Sequence, residues 1–66
     1  MQVTVNGEVR DTVAGETLAV LLASLGIDRR KVAVERNREI VPKSAFEGVI
    51  LAPGDQLEIV QFVGGG

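Results

Sequence analysis

Reactive side chains are scarce in this sequence. It holds no Cys, His, Trp or Tyr, which excludes thiolate and imidazole chemistry, disulfides, and the Cys/His ligand set of a small zinc domain. Nine carboxylates and seven cations remain. The sequence places no pair of those carboxylates in a cleft, where general acid and base work would need them, and they read as solvated surface charges. Pro53-Gly54-Asp55 lacks the spaced glycines, the Lys and the following helix of a phosphate-binding loop, so it reads as a plain turn.

What is left is the end, Gly64-Gly65-Gly66. At a background glycine frequency of about 7%, three in succession at a chosen place arise by chance about three times in ten thousand. A C-terminal carboxylate, with a pKa of about 3.3 to 3.7, is ionised at neutral pH. It is able to attack the α-phosphate of ATP and form an acyl adenylate. Reaching a buried nucleotide means threading a narrow channel, which glycine, without a Cβ and free in φ, does best. Three extended residues add about 10 Å of reach. A frayed end shares this composition, so composition alone leaves both readings open.

The elements that must carry such a tail are few. At 66 residues the chain is one small domain, and domains of this size hide only about 60% of the surface their unfolded chains expose. Residues 1–63 are expected to fold and 64–66 to form a flexible tail, ordered only in a complex. Val3 and Val5 alternate with polar neighbours, and Asn6-Gly7 precedes Glu8-Val9-Arg10, the strongest short signal of a β-hairpin. Thr17 is a candidate N-cap for a helix over about Leu18 to Leu25, because Leu18, Leu21, Leu22 and Leu25 recur on one helical face; Gly26 stops it. Asp28 to Lys31 reads as a loop, Val32 to Glu35 as a strand, Arg36-Asn37-Arg38 as a turn, and Glu39 to Val41 as a short strand ended by Pro42. Ser44 to Gly48 is expected to make a turn anchored by Phe46, Val49-Ile50-Leu51 a short strand, and Gln56 to Val63 the longest strand. The order predicts an α+β fold, a β-grasp, with one helix on one face of a mixed sheet of four to five strands. Its first and last strands lie side by side.

In the last strand Leu57 and Ile59 share one face, and Glu58, Val60 and Phe62 the other. One helix covers one face only. If it covers Leu57 and Ile59, then Val60 and Phe62 are left in solvent beside the tail, a candidate partner interface.

Charge points away from nucleic acid and membrane. The net charge is −2, and the basic residues Arg29, Arg30, Lys31, Arg36 and Arg38 are interleaved with Asp28, Glu35 and Glu39 and have no aromatic for base stacking. The N-terminal Met1-Gln2-Val3-Thr4-Val5 has no basic and apolar leader pattern, and no apolar run reaches spanning length. A cytoplasmic protein without metal or bound cofactor is expected.

Taken together, Met1 to Gly7, Thr17-Leu18 with Leu21-Leu22, Val32-Ala33-Val34-Glu35-Arg36-Asn37 with Ile40-Val41-Pro42, and Gly54 to Val60 running to Gly64-Gly65-Gly66 resemble ThiS, the ubiquitin-like sulfur carriers of thiamin (thiazole) biosynthesis. The resemblance covers the whole chain. It implies a carrier, not an enzyme, whose Gly66 carboxylate is adenylated by an ATP-dependent, E1-like activating enzyme and converted to a thiocarboxylate. The sulfur would come from a donor such as a cysteine desulfurase and pass to thiazole synthase. Gly65 and Gly66 are the functional pair and Gly64 is compatible with it. The runner-up is the similar small subunit of molybdopterin synthase, usually longer and without the Glu35-Arg36-Asn37 to Ile40-Val41-Pro42 pattern. A protein-conjugating modifier comes third, and a β-grasp interaction or RNA-binding module is the reading from another class.

Overall fold

Two hairpins with the same turn chemistry build the edges of the sheet. In a computed structural model of the chain, which describes residues 1–62, β1 (Gln2–Val5) turns into β2 (Glu8–Asp11) through Asn6 and Gly7, at φ of 49° and 83°. Positive φ at both central residues defines the type I′ turn, whose twist matches that of the flanking strands. β3 (Val32–Arg36) and β4 (Glu39–Val41) repeat the device on Asn37 and Arg38, at φ of 51° and 72°. β5 (Gln56–Gln61) runs between the hairpins, parallel to β1 and antiparallel to β3, in the order β2-β1-β5-β3-β4. The first and last strands are thus neighbours, as the sequence predicts, and the sheet is mixed with five strands.

The edge strand β2 is exposed throughout. Its register sets Arg10 opposite Val3 and Glu8 opposite Val5, so charged side chains stand on the core side of this edge and discourage pairing with another chain.

Helix α1 (Leu18–Ser24) is bounded as its sequence predicts. Thr17 Oγ1 accepts from the Val20 N–H at 3.3 Å. At the other end Gly26, at φ 71°, donates to Ala23 C=O and Ile27 N–H donates to Leu22 C=O, both at 3.0 Å. That pair of bonds is a Schellman stop. Leu18, Leu21 and Leu22 are buried against Val3, Val5, Val32, Val34 and Leu57, with Phe46 fully enclosed among them. Each such side chain contributes about 1.5–3 kcal/mol, so a core of this size has little to spare.

Two segments differ from expectation. Val49-Ile50-Leu51 is not a strand of the sheet: Leu18 N–H donates to Val49 C=O and Leu51 N–H to Glu16 C=O, both at 2.9 Å, around a single bridge from Thr17 to Ile50. The first N–H groups of α1 need acceptors; Val49 C=O serves Leu18, Phe46 C=O serves Ala19 and Thr17 Oγ1 serves Val20, so this segment closes the helix entry instead of pairing with a strand. Asp28 to Lys31 is not open loop but a 3-10 turn over Arg29–Lys31, with the Asp28 carboxylate accepting from Arg30 N–H at 3.0 Å. A second 3-10 turn, Lys43–Ala45, leads to Phe46.

Candidate functional site

The route to the chain end is β5, which is held from both sides. Its odd residues face β1: Thr4 N–H donates to Asp55 C=O and Asn6 N–H to Leu57 C=O, both at 2.9 Å. β1 ends at Val5, and the Asn6 side chain extends its ladder by one step. Asn6 Oδ1 accepts from Ile59 N–H at 2.7 Å and Asn6 Nδ2 donates to Ile59 C=O at 3.1 Å. On the β3 side, Asn37 N–H donates to Gln56 C=O at 2.8 Å while Asn37 Oδ1 accepts from Gln56 N–H at 2.9 Å. From Val60 to Phe62 the pairing among the described residues comes from β3, ending with Phe62 N–H on Lys31 C=O at 2.8 Å.

At the start of β5 lies Asp55, the one buried charged residue among those described. Its Oδ2 accepts from Arg36 Nε at 2.9 Å and from Ala52 N–H at 2.8 Å, and its Oδ1 from Asn37 Nδ2 at 3.0 Å. Arg36 Nη2 also donates to Ile50 C=O at 3.1 Å. Burial alone pushes the Asp55 carboxyl up, but the bonds from Ala52, Asn37 and Arg36 outweigh it and hold it below the usual carboxylate range. This carboxylate joins the β3–β4 turn, the 50–52 segment and β5, and its acceptors are engaged within the chain, which makes it a lock and not a base. Sequence reasoning passed it over as a turn residue, because its partners Asn37 and Arg36 stand 18 and 19 positions away. The half-buried Asp28 carboxyl is lowered to about 2, first by the side-chain bond from Arg30 and then by the Arg30 N–H.

The face away from α1 carries the apolar residues nearest the tail. Val60 lies opposite Ala33 and Glu58 opposite Glu35, on the side opposite Leu57, Val32 and Val34. Val60 is 61% and Phe62 51% exposed, as the alternation of β5 predicts. Ile40, opposite Glu35 and 69% exposed, joins the same face. Sequence reasoning missed it because three residues of β4 show no clear alternation. Lys43 Nζ stands 4.9 Å from the Phe62 ring centroid and donates to Arg30 C=O at 2.8 Å, capping one edge of the patch with a cation. Glu35 and Glu58 face each other across β3 and β5 with no ion pair among the described residues, a like-charge pairing that costs stability.

Gly64, Gly65 and Gly66, with Val63, lie outside the described residues. Of the basic residues, Arg30 pairs with Asp28 at 3.1 Å, Arg29 with Glu47 at 3.6 Å and Arg36 with Asp55 at 2.9 Å. Among the described residues no group of three or more His, Cys, Asp or Glu is placed to hold a metal ion, and no helix is long and apolar enough to cross a membrane.

The same fold is found in known proteins. The crystal structure of a thiamine biosynthesis protein, ThiS, from Geobacter metallireducens superposes with a TM-score of 0.85 at 32% identity, covering 100% of both chains. The sulfur carrier protein ThiS of Bacillus subtilis (strain 168) is 48% identical over 50 residues, 76% of each chain. A thiazole synthase of Paramagnetospirillum magneticum is 56% identical over 66 residues, and one of Magnetococcus marinus 46%. This chain spans only 20% of the length of those two synthases. The sequence model of the ThiS family matches residues 3–66, and with a fold and relatives that agree, the chain belongs to the ThiS family of sulfur carriers.

Proposed function

We propose that this protein carries sulfur for thiazole formation in thiamin biosynthesis, with the backbone carboxylate of Gly66 as its reactive group. The carboxylate attacks the α-phosphate of ATP on an activating enzyme; pyrophosphate leaves and an acyl adenylate remains. A persulfide on a donor such as a cysteine desulfurase displaces AMP and forms an acyl disulfide; a thiol then reduces it, leaving with the donor sulfur as a disulfide and freeing the thiocarboxylate, whose sulfur passes to thiazole synthase. Residues 1–63 act as the folded domain and Gly64, Gly65 and Gly66 as the tail that reaches the nucleotide. Val60 and Phe62, with Ile40 beside them, dock the partners. The chain itself holds no cofactor, works in the cytoplasm, and is a co-substrate of enzymes rather than one of them.

The observation that carries this reading is a family match that extends through Gly66 in a chain with no Cys or His, so that sulfur has no cysteine thiol to ride on as a persulfide. The name thiazole synthase on relatives that include a matching segment supports that enzyme as the partner. Those relatives also favour a second arrangement, in which this unit is one part of a longer chain and Gly66 is followed by further residues.

Intact mass decides. After incubation with ATP, an activating enzyme and a sulfur source, the 66-residue chain should gain the difference between one sulfur and one oxygen, with fragmentation placing it on Gly66. Deleting Gly66 shortens the reach by about 3.5 Å and should abolish loading, as should one added residue. Loading on a side chain, or loading that survives an added residue, overturns the reading. A chain isolated from its source with Gly66 joined to further sequence shows the second arrangement.

A further inference from the structure

Ile59 is served by a single side chain. Its N–H and C=O face β1, which has already turned away at Val5, and both groups bond to the amide of Asn6, 53 positions earlier. The turn itself does not ask for this. A type I′ turn needs only positive φ at Asn6, which glycine meets at least as well. What asparagine adds is an amide long enough to act as one more backbone rung.

Among the described residues that rung is the last on its side of β5. Upstream, β5 is tied to both neighbours; from Val60 to Phe62 its pairing among the described residues comes only from the other side, from β3 and from Lys31 just before it. A strand held on both sides cannot swing within the sheet, whereas one held on a single side pivots about its last double tie. Without the Asn6 amide that tie falls back to Asn6 N–H on Leu57 C=O, two residues or about 7 Å earlier along the strand. A cleft of about 460 Å³, lined in part by Asn6, Ile59 and Gln61, opens at this spot. Water can therefore replace the amide on Ile59, and the loss falls on direction more than on stability.

From this geometry we infer that Asn6 is a positioning residue whose clasp on Ile59 sets where β5 is released from β1, and so the direction in which the chain leaves the sheet at Phe62. In the carrier reading, on which the functional half of this inference rests, that direction presents Val60, Phe62 and the tail to the activating enzyme together. When only a fraction of molecules is correctly aimed, apparent affinity falls by that fraction.

Asn37 offers the control, since it clasps Gln56 from an equivalent turn at the other end of β5. Asn6→Gly and Asn37→Gly each keep the turn and remove the amide. In Asn6→Gly the Ile59 amide should exchange about tenfold faster or more, and the N–H vectors of Val60 and Phe62, read by residual dipolar couplings, should reorient. The KM for adenylation of the carrier should rise about fivefold while kcat stays within about twofold. Asn37→Gly should lower the melting temperature and leave KM and the Ile59 amide unmoved. An unchanged KM in Asn6→Gly overturns the inference, and so does an equal rise in Asn37→Gly. If wild-type protein is not adenylated at all, the carrier reading falls and the couplings decide alone: reoriented Val60 and Phe62 vectors support the clasp and unchanged ones overturn it.

Discussion

Phe62 illustrates how much one residue can do when its environment leaves it half free. The ring is 51% exposed and touched by the Lys43 ammonium, so removing it takes little from the core. A partner that covers it gains about 1.5–3 kcal/mol of burial. Phe62→Ala should therefore weaken docking on the activating enzyme about tenfold or more while the circular dichroism spectrum and melting temperature stay near those of the wild type. Titration calorimetry checks this, and undiminished affinity in a folded variant removes Phe62 from the interface. Phe46, fully buried beneath α1, is the contrast: the same residue type there is committed to the fold.

At the level of elements, the two hairpins show how a common turn tolerates unequal sequences. Gly7 occupies its positive φ without strain, but Arg38 takes the same position at φ 72° with a Cβ that crowds the backbone. The β3–β4 hairpin is kept because Arg36 and Asn37 tie it to Asp55 and β5. Arg38→Gly should relieve the strain and raise stability by about 0.5–1 kcal/mol, read as a shift of the urea midpoint at constant slope. A lower midpoint would show that the Arg38 side chain contributes more than its backbone costs.

For the whole molecule, acid stability turns on Asp55. Its folded pKa lies below the value near 3.9 of an unfolded Asp, since the bonds from Ala52, Asn37 and Arg36 overcome the opposing effect of burial. A depressed carboxyl contributes stability above the unfolded pKa and loses it as pH falls through the folded one. The melting temperature should thus be insensitive to this group above about pH 5 and drop below about pH 4. Asp55→Asn should cost about 2 kcal/mol at neutral pH and flatten the acid limb; an acid limb parallel to that of the wild type would assign the effect to other carboxylates. The same residue marks the boundary between local and global information. The leucine stripe of α1, the Asn6-Gly7 turn, the Gly26 stop, the parity of Val60 and Phe62 and the glycine end were all determined by the sequence, because steric and periodic preferences act within a few residues. The neighbourhood of β1 and β5 was also legible, from the order of hairpin, helix and long final strand in so short a chain. The tertiary structure alone decided that Val49 to Leu51 serves the helix entry, that Ile40 joins the apolar face, that Asp55 is buried with Arg36, and that Asn6 completes the ladder of Ile59. These depend on which distant groups win the competition for each buried hydrogen bond, and no preference local to any of them records the winner.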